Sequence, residues 1–316
     1  MIESFGTTVS GETVQAILLR ADGVSARILT YGAILQDFRL EGLPYSLTLG
    51  SDNLADYEDA LRYHGALIGP VANRISGAKA VIGGKECVFG PNQDGRITLH
   101  SGEAGLHRKH WTIADHGPAH ATLAVHLADG EGGFPGARRI TARYELLPGA
   151  TLRLTLSAQT TALTPMNLAI HNYWNLDGSD SWAGHDLHIA AAHYLPVDAD
   201  IVPTGEISKV AGTVFDFRAE RRLLPGNPPL DTNFCLSDQR VALRDVLWLK
   251  GTSGVRMTLA TTEPGVQVFD NRPEYRGLAI EPQFWPDAMA RPDFPDILLA
   301  PGTPWEQIDE WRFSKR

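Results

Sequence analysis

Between residues 151 and 158 polar and apolar side chains alternate without interruption, Leu152, Leu154, Leu156 and Ala158 on one side and Thr151, Arg153, Thr155 and Ser157 on the other. A period of two marks a β-strand with one dry and one wet face. Ile140, Ala142, Tyr144 and Leu146 repeat the pattern against Thr141, Arg143 and Glu145, and Pro148-Gly149 between the two runs predicts a hairpin. Leu123, Val125 and Leu127 form a third run, and Val255, Met257 and Leu259 a fourth. Near the start, residues 14–20 and 24–30 flank Asp22-Gly23, a dipeptide suited to the tight turn of a hairpin.

Helical periodicity is scarce. Residues 53–62 form one short amphipathic candidate, without room for the crossover that a parallel sheet needs. Glycine and proline together occupy 51 of 316 positions, mostly between the short alternating runs. The expectation is therefore an all-β chain, a sandwich or barrel of mostly antiparallel strands. Pro-Gly-Asn-Pro-Pro at 225–229 is the most linker-like stretch, but strand-like sequence lies on both sides of it. Residues 1–316 are expected to form a single domain, with 225–229 as a loop inside it.

With 43% hydrophobic and 21% charged residues, the chain has material for a core and no signature of disorder. Its net charge of −9 and the lack of a Lys/Arg block speak against nucleic acid as a partner. Residues 1–12 carry Glu3 and Glu12 where a signal peptide would be basic and then apolar, and no run approaches the ~18 apolar residues of a membrane span. Cys87 and Cys235, far apart, make neither a disulfide framework nor a metal knuckle. A cytoplasmic protein that meets no membrane is expected.

Phosphate-binding glycine loops, a nucleophile elbow and a zinc-binding H-E-x-x-H are all absent. His185 and His188 are three apart but lack a third ligand nearby, so a structural role is expected for both. Four other stretches interrupt apolar or turn-like sequence with polar and ionisable groups: residues 69–75, 98–102, 165–176 and 278–288. His171 follows Leu168-Ala-Ile170 and precedes Tyr173-Trp174, a setting that suits a hydrogen-bonded core histidine. Glu281 ends the apolar run Leu278-Ala-Ile280, where burial of a carboxylate demands a partner. Singly, each has a structural explanation: Glu281 as half of an ion pair, Arg74 as its counter-ion, Asn73, Asp231 and Gln283 as turn caps, His100 as a loop residue, Phe269 as core.

Taken together and in order, these stretches resemble the aldose 1-epimerase, or galactose mutarotase, family. That family shows Gly-x-x-Ala-Asn-Arg-Ile, Leu-His-Gly-Gly, Asn-His-Ser-Tyr-Phe-Asn-Leu and Glu-Thr-Gln followed by Pro-Asp-Ala, which stand here at 69–75, 99–102, 170–176 and 281–288. Leu29-Thr-Tyr-Gly-Ala33, Phe215-Asp-Phe217, Asp231-Thr-Asn-Phe234, Gly265-Val-Gln-Val-Phe269 and Leu299-Ala-Pro-Gly302 extend the likeness over nearly the whole chain. The resemblance implies a single-domain supersandwich with a sugar cleft on one broad face. It implies Glu281 as catalytic base, His171 as catalytic acid, and Asn73, Arg74, His100, Asp231, Phe269 and Gln283 as sugar contacts. No metal or cofactor is implied.

Exchanging α and β anomers requires a base at the C1 hydroxyl and an acid at the ring oxygen, each worth typically ~10²–10⁴-fold in rate. A free histidine near pKa ~6.5 is mostly neutral at pH 7, so His171 is expected to be held charged by Asp231 and Glu281. The chain departs from the family at Ser101 for glycine, Trp174 for phenylalanine, Pro282 for threonine, and at 269–272. Trp174 and residues 270–272 are expected to reshape the pocket wall. Rival readings are a glycoside hydrolase using Glu281 with Asp231, a non-catalytic sugar-binding protein, and an epimerase of hexose phosphates using Arg272 and Arg276.

Overall fold

The computed structural model describes every residue except Asn271, Pro273 and Arg316. Two antiparallel sheets dominate it. The larger has nine strands, and its centre is the meander of His120–Leu127, Arg138–Leu147 and Thr151–Thr160 continued by Trp305–Lys315 and Val255–Thr261. Both hairpins expected from sequence form: Leu146 faces Leu152 across the 148–149 turn, and Ala21 faces Val24 across Asp22-Gly23. The alternating runs thus put Ile140, Ala142, Tyr144, Leu152, Leu154 and Leu156 on one buried face.

The second sheet has six strands in the order Tyr173–Trp174, Leu278–Gln283, Gly265–Phe269, Asp231–Cys235, His193–Tyr194 and Ser208–Lys209. One face of it carries Trp174, Leu278, Ile280, Val266, Val268 and Phe234 into the same core as the large sheet. On the opposite face the register lines up Asn233, Gln267 and Glu281 in one row, and Asp231, Phe269, Ala279 and Tyr173 in the next. Strand parity therefore decides which of these residues can meet a ligand.

The helix expected over 53–62 is shorter than its pattern. Only Leu54–Glu58 is helical, capped by the Asn53 side chain on the Ala55 N–H, and turns follow to residue 65. Leu54 and Tyr57 bury against Val14, Ala16 and Leu29, so one turn suffices to cover that side of a separate four-stranded sheet made by Ile2–Thr7, Thr13–Ala21, Val24–Leu29 and Leu35–Leu40. Residues 225–229 lie in a loop with a Leu224–Asn227 bridge. His185 is buried with Nδ1 on the Trp182 carbonyl and Nε2 accepting from the Leu176 N–H, while His188 stacks on Trp248 at 4.5 Å. Both are structural.

Behind the strand Leu278–Gln283 sits a buried carboxyl, Asp309, that accepts from the Thr261 hydroxyl at 2.6 Å and the Gln307 amide at 2.9 Å. Burial, with the Glu263 charge nearby, pushes it up to about 8. The folded state thus keeps a proton that the unfolded chain, titrating near ~3.9, gives up, and stability falls as pH rises between these values. Asp309→Asn should stabilise the protein at pH 8 by about 1–3 kcal/mol and flatten the pH dependence of urea unfolding. An unchanged slope between pH 5 and 8 would show that Asp309 is not the group responsible.

Candidate active site

On the outward face of the six-stranded sheet a cavity of about 200 Å³ is lined by Tyr63, Asn73, Arg74, Leu99, His100, His171, Tyr173, Asp231, Gln267, Phe269 and Glu281. Seven chain segments converge to make it. Glu281 comes from Leu278–Gln283, the strand next to the Tyr173–Trp174 edge, where it pairs with Gln267. His171 follows the short strand Ala169–Ile170, and its backbone is pinned at both ends: its N–H donates to the Ala66 carbonyl at 2.9 Å and its carbonyl accepts from the Gly65 N–H at 2.9 Å. Arg74 and His100 arrive on neighbouring segments, with Arg74 facing Leu99 in a two-residue ladder.

His171 Nε2 lies 3.5 Å from Glu281 Oε1, both residues buried. Tyr63 stacks parallel to the His171 ring at 5.8 Å, His100 meets it edge-on at 5.4 Å, and Tyr173 lies 5.0 Å away. Glu281 Oε2 and His171 Nδ1 have no protein partner. Asp231 accepts from the Gln267 amide at 2.6 Å and stands 3.8 Å from the Arg74 guanidinium, whose Nε donates to Gln93 at 3.1 Å. Arg74 is thus paired with Asp231, not with Glu281 as a structural reading of the sequence had it.

The electrostatics correct the expectation that His171 is held as an imidazolium. Burial pushes His171 down to about 3, and the nearby His64 adds to this. Burial likewise raises Glu281 well above the usual carboxylate range; Asp231 adds to the rise and Arg74 opposes it. Desolvation penalises the charged form of each, and it outweighs the attraction of Asp231 and Glu281 for a charged ring. Burial thus favours the uncharged arrangement of the pair, carboxylic acid beside neutral imidazole. At 3.5 Å the two groups titrate as a pair, not independently.

A prediction follows for Asp231. Its charge disfavours the Glu281 carboxylate and so raises the pH at which the last proton leaves. Asp231→Asn should therefore move the alkaline limb of the kcat/KM profile to lower pH, besides weakening substrate binding. A limb that stays in place or moves to higher pH would contradict this sign.

His100, His171 and Glu281 offer three potential metal-ligand atoms within 4.8 Å of one another. His100 Nδ1, however, accepts the Asn73 N–H at 3.1 Å, which assigns its proton to Nε2. A metal at Nε2 would displace that proton and bring it onto Nδ1 against the Asn73 amide. The trio suits hydrogen bonding to hydroxyls rather than ligation.

The sequence matches the family description "Aldose 1-epimerase" over residues 15–310. The chain belongs to the aldose 1-epimerase family. Galactose mutarotase of Mus musculus is 33% identical over 98% of this chain and 97% of its own length. Aldose 1-epimerase of Escherichia coli strain K12 is 29% identical, covering 96% of each. Among solved structures, the GalM/aldose epimerase homologue from C. elegans superposes with a TM-score of 0.88 at 28% identity, covering 95% of this chain and 99% of that one. Galactose 1-epimerase from Lactobacillus acidophilus gives 0.86 at 26% identity, covering 100% and 98%. The protein is an isomerase with the galactose mutarotase-like fold.

Seven of the eight residues expected at the site line the cavity: Asn73, Arg74, His100, His171, Asp231, Phe269 and Glu281. Gln283 does not. It shares the Glu281 face but is wholly buried beyond the cavity's end, with both side-chain polar atoms unpartnered. Trp174 also departs from expectation. Parity turns Tyr173 toward the cavity and Trp174 into the core against Phe38, Trp311 and Phe313, so the tryptophan ring is part of the interior and not of the pocket wall. In the divergent 270–272 segment, Asp270 points inward, accepting from the Leu230 N–H and pairing with Arg272; Asn271 lies outside the described residues.

Tyr63, Tyr173, Gln267 and Leu99 line the cavity without having been singled out from the sequence. Gln267 left a signal, since it is the one polar side chain in Gly265–Phe269 and stands two positions before Phe269. Tyr63 left none, being brought in by the turns after the short helix.

Proposed function

We propose that the protein interconverts the α and β anomers of a free aldose by ring opening and reclosure, with Glu281 as base at the C1 hydroxyl and His171 as acid at the ring oxygen. The observation that carries this reading is the buried contact of 3.5 Å between His171 Nε2 and Glu281 Oε1. Those two atoms can address adjacent oxygens on one anomeric carbon. In the opening step the carboxylate removes the proton from O1, electrons move to form the C1 carbonyl, the bond from C1 to the ring oxygen breaks, and the imidazolium protonates that oxygen. Rotation about the bond from C1 to C2 presents the other carbonyl face. Closure reverses each transfer and restores the pair.

One proton resides on the pair throughout, and opening converts carboxylate and imidazolium into acid and neutral ring. Burial, which favours the uncharged arrangement, thereby assists the opening step. Sugar hydroxyls and Arg74 support the charged arrangement before it. Asn73, Arg74, His100, Asp231 and Gln267 surround the remaining hydroxyls with fixed donors and acceptors, and Phe269 and Tyr173 offer apolar faces to the sugar's C–H surface. Arg74 is the one arginine or lysine lining the cavity among the described residues, and it stands beside Asp231. That balance favours a neutral monosaccharide over a hexose phosphate.

This reading takes residues 1–316 as one domain and places it in the cytoplasm, which the two free cysteines support. No helix among the described residues is long and apolar enough to cross a membrane. Polarimetry on freshly dissolved α-glucose and α-galactose tests the activity. Exchange much faster than the spontaneous rate is expected. Absence of any acceleration with both sugars and with a pentose panel would refute the proposal.

A further inference from the structure

Residues 100–102 pass through the left-handed backbone region at three successive positions, with φ of 51° at His100, 61° at Ser101 and 56° at Gly102. Glycine enters that region freely, whereas a residue with a Cβ meets its own backbone there. At position 101 the family segment has glycine, and this chain carries serine, 2% exposed. The serine is bound on both sides. Its Oγ accepts the Val71 N–H at 2.8 Å and donates to the Val71 carbonyl at 3.0 Å. One hydroxyl therefore satisfies both polar groups of a buried backbone residue.

Two residues along, Asn73 completes the clasp from the other strand end. Its N–H donates to His100 Nδ1 at 3.1 Å and its carbonyl accepts the His100 N–H at 2.9 Å. Asn73 itself sits at φ 62°, and its side-chain oxygen accepts the Arg74 N–H at 2.9 Å. Four hydrogen bonds thus join residues 71–73 to residues 100–101, and two sugar-facing side chains, Arg74 and His100, hang from that joint.

We propose that Ser101 is a positioning residue for His100: its hydroxyl, held at both polar groups of Val71, keeps the left-handed turn against residues 71–73, so that the Asn73 amide fixes the His100 proton on Nε2, facing the sugar. The serine replaces the backbone freedom of glycine by an anchor. Without that anchor, the strained turn has a route to relax, and relaxation withdraws the Asn73 N–H from Nδ1. The inference rests on reading His100 as a sugar contact, but its structural half stands on the clasp alone.

Two variants separate the lost anchor from the backbone strain. Ser101→Ala keeps the Cβ in the left-handed region and loses both bonds to Val71; its kcat should fall about 10- to 100-fold, the scale of a misplacement near 1 Å, with KM changed less. Ser101→Gly loses the bonds but also the strain, and should recover kcat to within about five-fold of the parent. Nitrogen-15 spectra of the histidine rings supply a readout that needs no turnover: His100 should carry its proton on Nε2 in the parent and in Ser101→Gly, and show a tautomer mixture in Ser101→Ala. If both variants match the parent, or both lose activity equally, or the His100 tautomer is the same in all three, the proposal is overturned. If the parent itself shows no mutarotation while the ring spectra behave as described, the functional reading fails and the clasp stands.

Discussion

Glu281→Gln should leave a folded protein whose kcat for anomer exchange is lower by about 10³–10⁴-fold, the upper part of the range for a positioned base. The amide has the shape of the carboxyl and can still hydrogen-bond the C1 hydroxyl, so KM should move far less than kcat. It cannot accept a proton, and the other carboxylate lining the cavity among the described residues, Asp231, is tied to Gln267 and Arg74. Stability should be unchanged or slightly higher, because the native carboxyl is fully buried with Oε2 unpartnered and its ionisation opposed by burial. Polarimetry beside thermal unfolding checks both halves. Retention of more than a tenth of the parent's kcat would remove Glu281 from the base role.

His171→Asn should lower kcat by about 10²–10⁴-fold. The asparagine amide can donate a hydrogen bond toward the ring oxygen but cannot release a proton to it, so the alkoxide formed on opening would leave unprotonated. Here a modest loss of stability is expected, since the imidazole packs between Tyr63, His100 and Tyr173 and its removal leaves space. The split between kcat and KM distinguishes the two causes: a packing defect that loosened the pocket would raise KM, whereas loss of the acid acts on kcat. A variant with near-parental kcat and raised KM would show that the ring positions sugar and does not move a proton.

The large sheet was legible because its strands alternate cleanly and Pro148-Gly149 marks its hairpin, as Asp22-Gly23 marks one in the separate four-stranded sheet. The strand that carries Glu281 was not legible in that way. All six residues of Leu278–Gln283 are buried, so polarity no longer reports which side faces a ligand, and its neighbour Tyr173–Trp174 is only two residues long. The site residues were found through resemblance, and the resemblance could not supply orientation. Trp174 and Gln283 illustrate this: one is turned inward by a single step of the pleat, the other lies on the right face but too far along the strand. The protonation of His171 departs from expectation for a different reason. From sequence, neighbouring carboxylates were apparent but full burial of the ring was not, and desolvation is the larger effect.

The direct test of a proton shared between Glu281 and His171 is the rate of the double variant, Glu281→Gln with His171→Asn, set beside the two single variants and corrected for spontaneous mutarotation. Groups that hand one proton across a sugar lose their use together, so the double variant should be no more than about three-fold slower than the slower single one. If the two losses instead multiply, each side chain acts on its own and the coupled transfer is wrong.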